Sequence, residues 1–324
     1  MKKSVAALAV LLPLTLLLCA CGSTELSLGA YWYKSGDGSS VSGKSEQLEY
    51  EVTFKPADET VKTLDYGTGS YKTELSVEQI TLSDESKIQG YHLHSELSIP
   101  VTYTVGEATE TFTDSIVSDV YFMTLSSRLQ PVRSEKTVHS TSPLTLKPET
   151  MDEAYETYEY TYTVEYTSDL SKAAIKYAQT LPEVKTEEKT ISVKSKDIFF
   201  DNEQLLFVLR GVSMDSAVSM KTINPLTLKE TNVTTSSPTA LAYTSPFTLN
   251  GKEQTFTEKE PLKVYGVTLS YSGKNAGQPQ KLVYAAKQDK GENTYRNLLV
   301  EMSVPVLSGF GFLDYKLKNA TIND

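Results

Sequence analysis

The sequence predicts a mainly β protein, with long antiparallel strands forming a curved sheet or open half-barrel and one packed helix at about residues 201–210. Three observations predict it. Several segments alternate between apolar and polar residues over long stretches. Tyrosine is abundant, with 20 among 324 residues against a single tryptophan, Trp32, and threonine, serine and valine are frequent, a composition suited to strands and turns. One segment, around Leu205, changes to a helical period.

The N-terminus comes first. Met1-Lys2-Lys3 is basic and is followed by an apolar run from Val5 to Leu18, broken by Pro13 and Thr15. The run is shorter than the ~20 apolar residues of a membrane-spanning helix and has the flanks of a secretory signal. Both cysteines of the chain, Cys19 and Cys21, lie at its end. Leu18-Cys19-Ala20-Cys21 resembles the lipobox of bacterial lipoproteins. The resemblance implies cleavage before Cys21, which then carries a diacylglycerol, and loss of Cys19 with residues 1–20. Two acyl chains at ~0.8 kcal/mol per buried methylene suffice for stable anchoring. The mature chain would hold no free thiol, so disulfides and cysteine chemistry are excluded from its body. Its address is then extracytoplasmic, on the membrane of a bacterium.

Charge narrows the partners. The chain has 31 basic and 41 acidic residues, net −10, and loss of Lys2 and Lys3 leaves 29 against 41, net −12. Such a surface repels nucleic acid and anionic membranes, so the expected membrane contact is the Cys21 anchor alone. Residues 21–46 read as the anchored N-terminus and a tether, because Ser35–Glu46 is almost wholly polar and glycine-rich. Residues 47–324 read as the β-rich body, one domain or two, with 170–190 as the place for a break.

Strands follow in order. Leu48, Tyr50, Val52 and Phe54 alternate with polar residues, as do Tyr91, Leu93, Leu97, Ile99, Val101, Tyr103 and Val105. Tyr158, Tyr160, Tyr162, Val164 and Tyr166 line one face of a third segment, and Leu298, Val300, Met302, Val304 and Val306 that of a fourth. A period of two over such lengths describes half-buried antiparallel strands. Their length, beyond the usual five or six residues, suits a strongly curved sheet.

In "FFDNEQLLFVLRG", Asp201 or Asn202 can cap a helix, Glu203 suits its first turn, Leu205, Leu206 and Leu209 make an apolar stripe, and Gly211 stands where a terminal glycine belongs. "LSKAAIKYAQ" fits a helix or a strand. A short pattern, proline followed by apolar-Thr-Leu, recurs after Ser142, Asn224 and Ser245 at unequal spacings of 82 and 21 residues. It reads as a turn device opening a short strand.

"DNEQLLFVLRG" resembles the Asp-led helix ending in Leu-Arg of a family of exported bacterial β-proteins of unknown function. "LSSRLQPVRSEKTV" is similar to the family's strand running into an x-Pro turn, and "GFGFLDYKLKNA" to its closing strand. Those proteins are related in shape to the half-barrel lipoprotein carriers, in which a curved sheet wraps a helix and an apolar cavity. The resemblance implies this fold over about Tyr91 to Ala320, and no catalytic residue.

Chemical signatures are sparse. Gly38-Ser39-Ser40-Val41-Ser42 lacks the second glycine of a hydrolase elbow, and Tyr66-Gly67-Thr68-Gly69-Ser70 lacks the lysine and helix of a phosphate loop. His92 and His94 share a face two residues apart and could hold a metal only with a third ligand such as His139 or Glu96. The bland alternative is a wet strand face. Glu149, Asp152, Glu153, Glu156 and Glu159 read as a solvated face, although two of them in a cleft could serve a glycoside hydrolase. The row Tyr158, Tyr160, Tyr162 and Tyr166 is either cross-strand packing or, with Leu205 and Leu209, an aromatic lining for a lipid or other amphiphile. No cofactor is implied. The leading expectation is a non-catalytic, lipid-anchored envelope protein able to hold an amphiphilic or apolar ligand. A structural or adhesive surface protein is the second reading, and a carboxylate-based hydrolase or metal-dependent enzyme the third.

Overall fold

A computed structural model describes residues 44–323, apart from 59–61, 126–127, 212–215, 225–226, 274–277, 287–293 and 307–308. Cys19 and Cys21 lie outside the described residues.

Alternation in the sequence becomes one sheet of 18 strands. The first half holds β1 (Ser45–Pro56), β2 (Leu64–Tyr66), β3 (Gly69–Thr81), β4 (Lys87–Val105), β5 (Ala108–Leu125), β6 (Arg128–Pro143), a single helical turn α1 (Met151–Ala154), β7 (Tyr155–Tyr166), β8 (Lys172–Leu181) and β9 (Lys185–Ser192). The second half holds β10 (Ser219–Asn224), β11 (Lys229–Thr235), β12 (Thr239–Tyr243), β13 (Phe247–Leu249), β14 (Lys252–Gln254), β15 (Leu262–Tyr271), β16 (Gln280–Ala285), β17 (Leu299–Pro305) and β18 (Gly311–Asn323). From β3 to β9 each strand pairs antiparallel with the next, and β15 to β18 form a second meander. β1 joins the two meanders, between β3 and β18. β11 and β12 follow one another along β15, and β13 lies parallel to β18.

The fold class is the one predicted: an open antiparallel sheet, strongly curved, with a helix on its concave face. Register shifts at Glu49/Tyr50, Tyr121/Phe122, Glu159/Tyr160 and Val283/Tyr284 bend the strands, as bulges do. At one bend β4 passes so close to β5 that a Cβ on Gly90 would stand 2.8 Å from the Phe122 carbonyl oxygen. Gly311 begins β18 at φ 141°, where a side chain would also meet the Lys55 carbonyl oxygen at 2.2 Å, so only glycine serves there.

The helix appears where its stripe predicts it. A 3₁₀ turn (Asn202–Gln204), an α-helical turn (Leu205–Val208) and a second 3₁₀ turn (Leu209–Gly211) run on as one central helix. Leu205, Phe207, Val208 and Leu209 are buried with Tyr50, Val101, Phe122 and Tyr284 in the main core. The stretch 205–209 is therefore apolar all round, as a segment enclosed by sheet must be. A second core joins Tyr162, Val164, Tyr166 and Ile175 to Phe199 and Ile223, where β7 and β8 meet β10.

Two sequence expectations change, and one left open is decided. The sheet does not break at 170–190, because β8 and β9 continue it past β7. "LSKAAIKYAQ" is mostly strand β8, its Ala173, Ile175 and Tyr177 buried in alternation. Ser45 and Glu46, read as the end of the tether, already belong to β1, and Glu46 is buried. Its carboxylate is in phase with Leu48 and Tyr50, and the ion pair it makes on the concave face explains a charge there.

Candidate functional site

The central helix is held at both ends by charged groups. Asp201, one of the two predicted caps, accepts a hydrogen bond from the Glu203 backbone N–H at 2.8 Å. Its other carboxyl oxygen accepts from Ser134 Oγ and Tyr166 Oη, each at 2.6 Å. Burial raises the Asp201 carboxyl above its ordinary range, and those donors offset only part of the rise. Glu203 accepts from Lys136 Nζ at 3.2 Å on both oxygens. Burial works against the charge on Lys136, but Glu203 and the neighbouring tyrosines outweigh it and raise the amine. Tyr271 Oη donates to Asn202 Oδ1 at 3.0 Å from the opposite meander.

At the other end Arg210 donates to both oxygens of Glu46, at 2.6 and 2.9 Å, with 6% and 3% of the two side chains exposed. Arg210 also donates to the Arg296 carbonyl at 3.0 Å, and Asn297 Nδ2 returns a bond to the Arg210 carbonyl at 2.8 Å. Arg296 and Asn297 are both left-handed, at φ 47° and 52°. Two such non-glycine residues in succession are costly and are held in place by the contact they make with the helix end.

Between helix and sheet lies a cavity of about 40 Å³, lined by Leu48, Tyr50, Tyr71, Thr73, Leu93, Leu206, Phe207 and Leu299 and by the charged Glu46, Glu203 and Arg210. Of the leucine stripe, Leu206 borders it, and Leu205 and Leu209 do not; they are packed in the core. None of the four predicted tyrosines borders it either. Tyr162 and Tyr166 are buried in the second core. Tyr160 is half-buried and packs on Tyr177, ring centroids 5.3 Å apart, and Tyr158 is half-buried and bonds Glu156. The row that is uniform in sequence is thus divided between a packed and a half-open stretch.

His92 and His94 do share a face, and they share a partner. His92 Nε2 and His94 Nδ1 lie 2.7 and 2.9 Å from the same Asp119 oxygen. Burial raises the Asp119 carboxyl, but the hydrogen bonds from His94 and His92 prevail and bring it below its ordinary value. His92 stacks on Tyr121 at 4.2 Å, and the Arg133 guanidinium lies 4.0 Å from the same ring. His139 is bonded instead to Glu159, at 3.1 Å. Among the described residues no three of His, Cys, Asp and Glu are gathered as a metal would require, and no helix is long and apolar enough to cross a membrane.

Sequence reasoning missed Glu46, Lys136 and Arg210. A signal existed for each: Glu46 and Lys136 are charges at inward-facing strand positions, and Arg210 follows directly on the apolar run 205–209.

No protein-family model matches the sequence, and no curated protein matches it. Among solved structures, the chain is similar to the crystal structure of a β-barrel-like protein of domain of unknown function DUF1849 from Brucella abortus, with 12% identity, a TM-score of 0.48, and 87% of this chain and 98% of that chain covered.

Proposed function

We propose that the protein is a lipid-anchored extracytoplasmic protein, held to a bacterial membrane through Cys21, that acts through its outer surface rather than by carrying a ligand inside. The small size of the cavity described beneath the helix supports this reading. Sites for small molecules span about 300–1,000 Å³, whereas the cavity beneath the helix is about 40 Å³. That is room for about three waters at 10–15 Å³ each. An acyl chain would have to lift the helix and strand a buried charge by separating Arg210 from Glu46, at ~3–5 kcal/mol. The sequence around Cys21 supports the anchor.

Native mass spectrometry of the purified protein tests the surface reading. The mass is expected to equal that of the chain with its covalent lipid, and a further stoichiometric lipid would restore the carrier reading. Fractionation tests the anchor. Cys21→Ser is expected to leave the membrane fraction or stall as precursor while Cys19→Ser stays anchored. Normal anchoring of the Cys21 variant would refute it.

A further inference from the structure

The Pro-apolar-Thr-Leu pattern meets different fates in its three copies. In the third, Phe247–Leu249 becomes β13 beside β18, with Phe247 buried against Phe256 and Tyr295. Of the second, Leu228 is buried. In the first, Pro143-Leu144-Thr145-Leu146, the two leucines are 48% and 42% exposed. Pro148 follows, so this copy runs between two prolines, which discourage helix on either side.

Single exposed leucines are ordinary. Two further features set this pair apart. Its surroundings are mainly acidic, with Lys147 the one basic residue of the segment: Glu149 and Glu153 are exposed, the Glu149 backbone N–H donating to the Glu153 carboxylate, Asp152 is exposed in the same turn, and exposed Glu110 accepts from Tyr155. It also lies far from where the chain joins the body. Leu146 adjoins Gly309, and Gly311 pairs with Pro56 at the end of β1. Ser45, where β1 begins, lies at the other end of this 12-residue strand, 11 steps or roughly 36 Å away at ~3.3 Å per residue.

We propose that residues 143–148 form a docking strap for a protein partner that presents an apolar strip rimmed by lysine and arginine. The apolar strip covers Leu144 and Leu146 as Phe256 and Tyr295 cover Phe247, and the basic rim answers the carboxylates. An anionic membrane would meet the same carboxylates and be repelled. The proposal rests on the surface-acting reading and gives it a location.

A photo-reactive residue in place of Leu146, in the full chain anchored in its own membrane, tests the strap; the same residue at Leu241, which is 47% exposed elsewhere, is the control. Leu146 is expected to yield a protein adduct whose cross-linked peptide is apolar with flanking lysine or arginine. The adduct should fall several-fold in high salt and in Leu144→Ser, whose melting temperature should stay that of wild type because the side chain is exposed. Lipid adducts, no adduct, an acidic cross-linked peptide, or the same adduct from position 241 would each overturn the strap. A failed strap with no internal lipid in the native mass leaves the surface reading standing, whereas an internal lipid removes that reading whatever position 146 captures.

Discussion

Two ion pairs hold the central helix, one at each end, and they differ in depth. Arg210–Glu46 is almost sealed, at 6% and 3% side-chain exposure, while Lys136–Glu203 retains 21% and 8%. The deep pair is bidentate and is backed by the Arg296 carbonyl. The shallow pair is longer, at 3.2 Å to each oxygen. Depth sets what each pair does. Removing one partner of the deep pair leaves the more deeply buried charge without its counter-ion, so this pair weighs most on the seating of the helix. The shallow pair loses less when broken, because water can partly replace the missing partner.

The largest expected effect breaks the deep pair. Arg210→Met should destabilise the fold by ~3–5 kcal/mol by stranding Glu46, and adding Glu46→Gln should restore most of the loss; chemical denaturation of the single and double variants beside wild type checks both. Lys136→Met should cost less, ~1–3 kcal/mol, for an acceptor left short of its donor. Equal losses for Arg210→Met and Lys136→Met would erase the comparison by depth.

A buried carboxyl outside both ion pairs sharpens the comparison through pH. Burial pushes the Asp114 carboxyl up to about 6, although hydrogen bonds from the Thr141 backbone N–H and hydroxyl pull the other way. The folded chain then holds this proton at a pH where the unfolded chain, near ~3.9, has lost it. Stability from this group therefore falls as pH rises from about 4 to about 6 and is flat above. Melting curves of Asp114→Asn against wild type across that window should show the variant gaining relative stability with rising pH.

The smallest effect belongs on the wet face. His94→Ala should change stability by no more than ~1 kcal/mol, the range of exposed pairs, since Asp119 keeps His92 as a partner. The sign is opposite to that of Asp114. The depressed Asp119 carboxyl lends stability that is present above its unfolded value and lost as pH falls through its folded one. A loss in His94→Ala as large as that in Lys136→Met would mean that the outer cluster is structural.

What was legible in the sequence follows the same gradient. The alternation of Leu48, Tyr50 and Val52 names strand and inner face at once, and the spacing of Leu205 and Leu209 with Asp201 and Gly211 gives the helix within a residue. Those signals are local. Glu46 was read as tether because its partner Arg210 is 164 residues away, and nothing local distinguishes a buried carboxylate from a solvated one. The tyrosine row could not be divided from sequence either. Tyr162 and Tyr166 are packed because Phe199 and Ile223 come back over β7, and Tyr158 lies beyond that cover. A ligand lining at Leu205 and Leu209 was one of two alternatives, and the cavity lies beside Leu206 instead, since a helix enclosed by sheet buries more than one stripe.

The space described beneath the helix is too small for an acyl chain, and titration of a fluorescent fatty-acid analogue into the purified protein is the sharpest test of a surface-acting protein. No saturable binding is predicted, with Leu205→Ala, a packed core residue, losing ~2–5 kcal/mol of stability. Saturable one-to-one binding that changes on Leu206→Ala, at little cost in stability for any of the helix leucines, would contradict it and make the helix the lid of a ligand site.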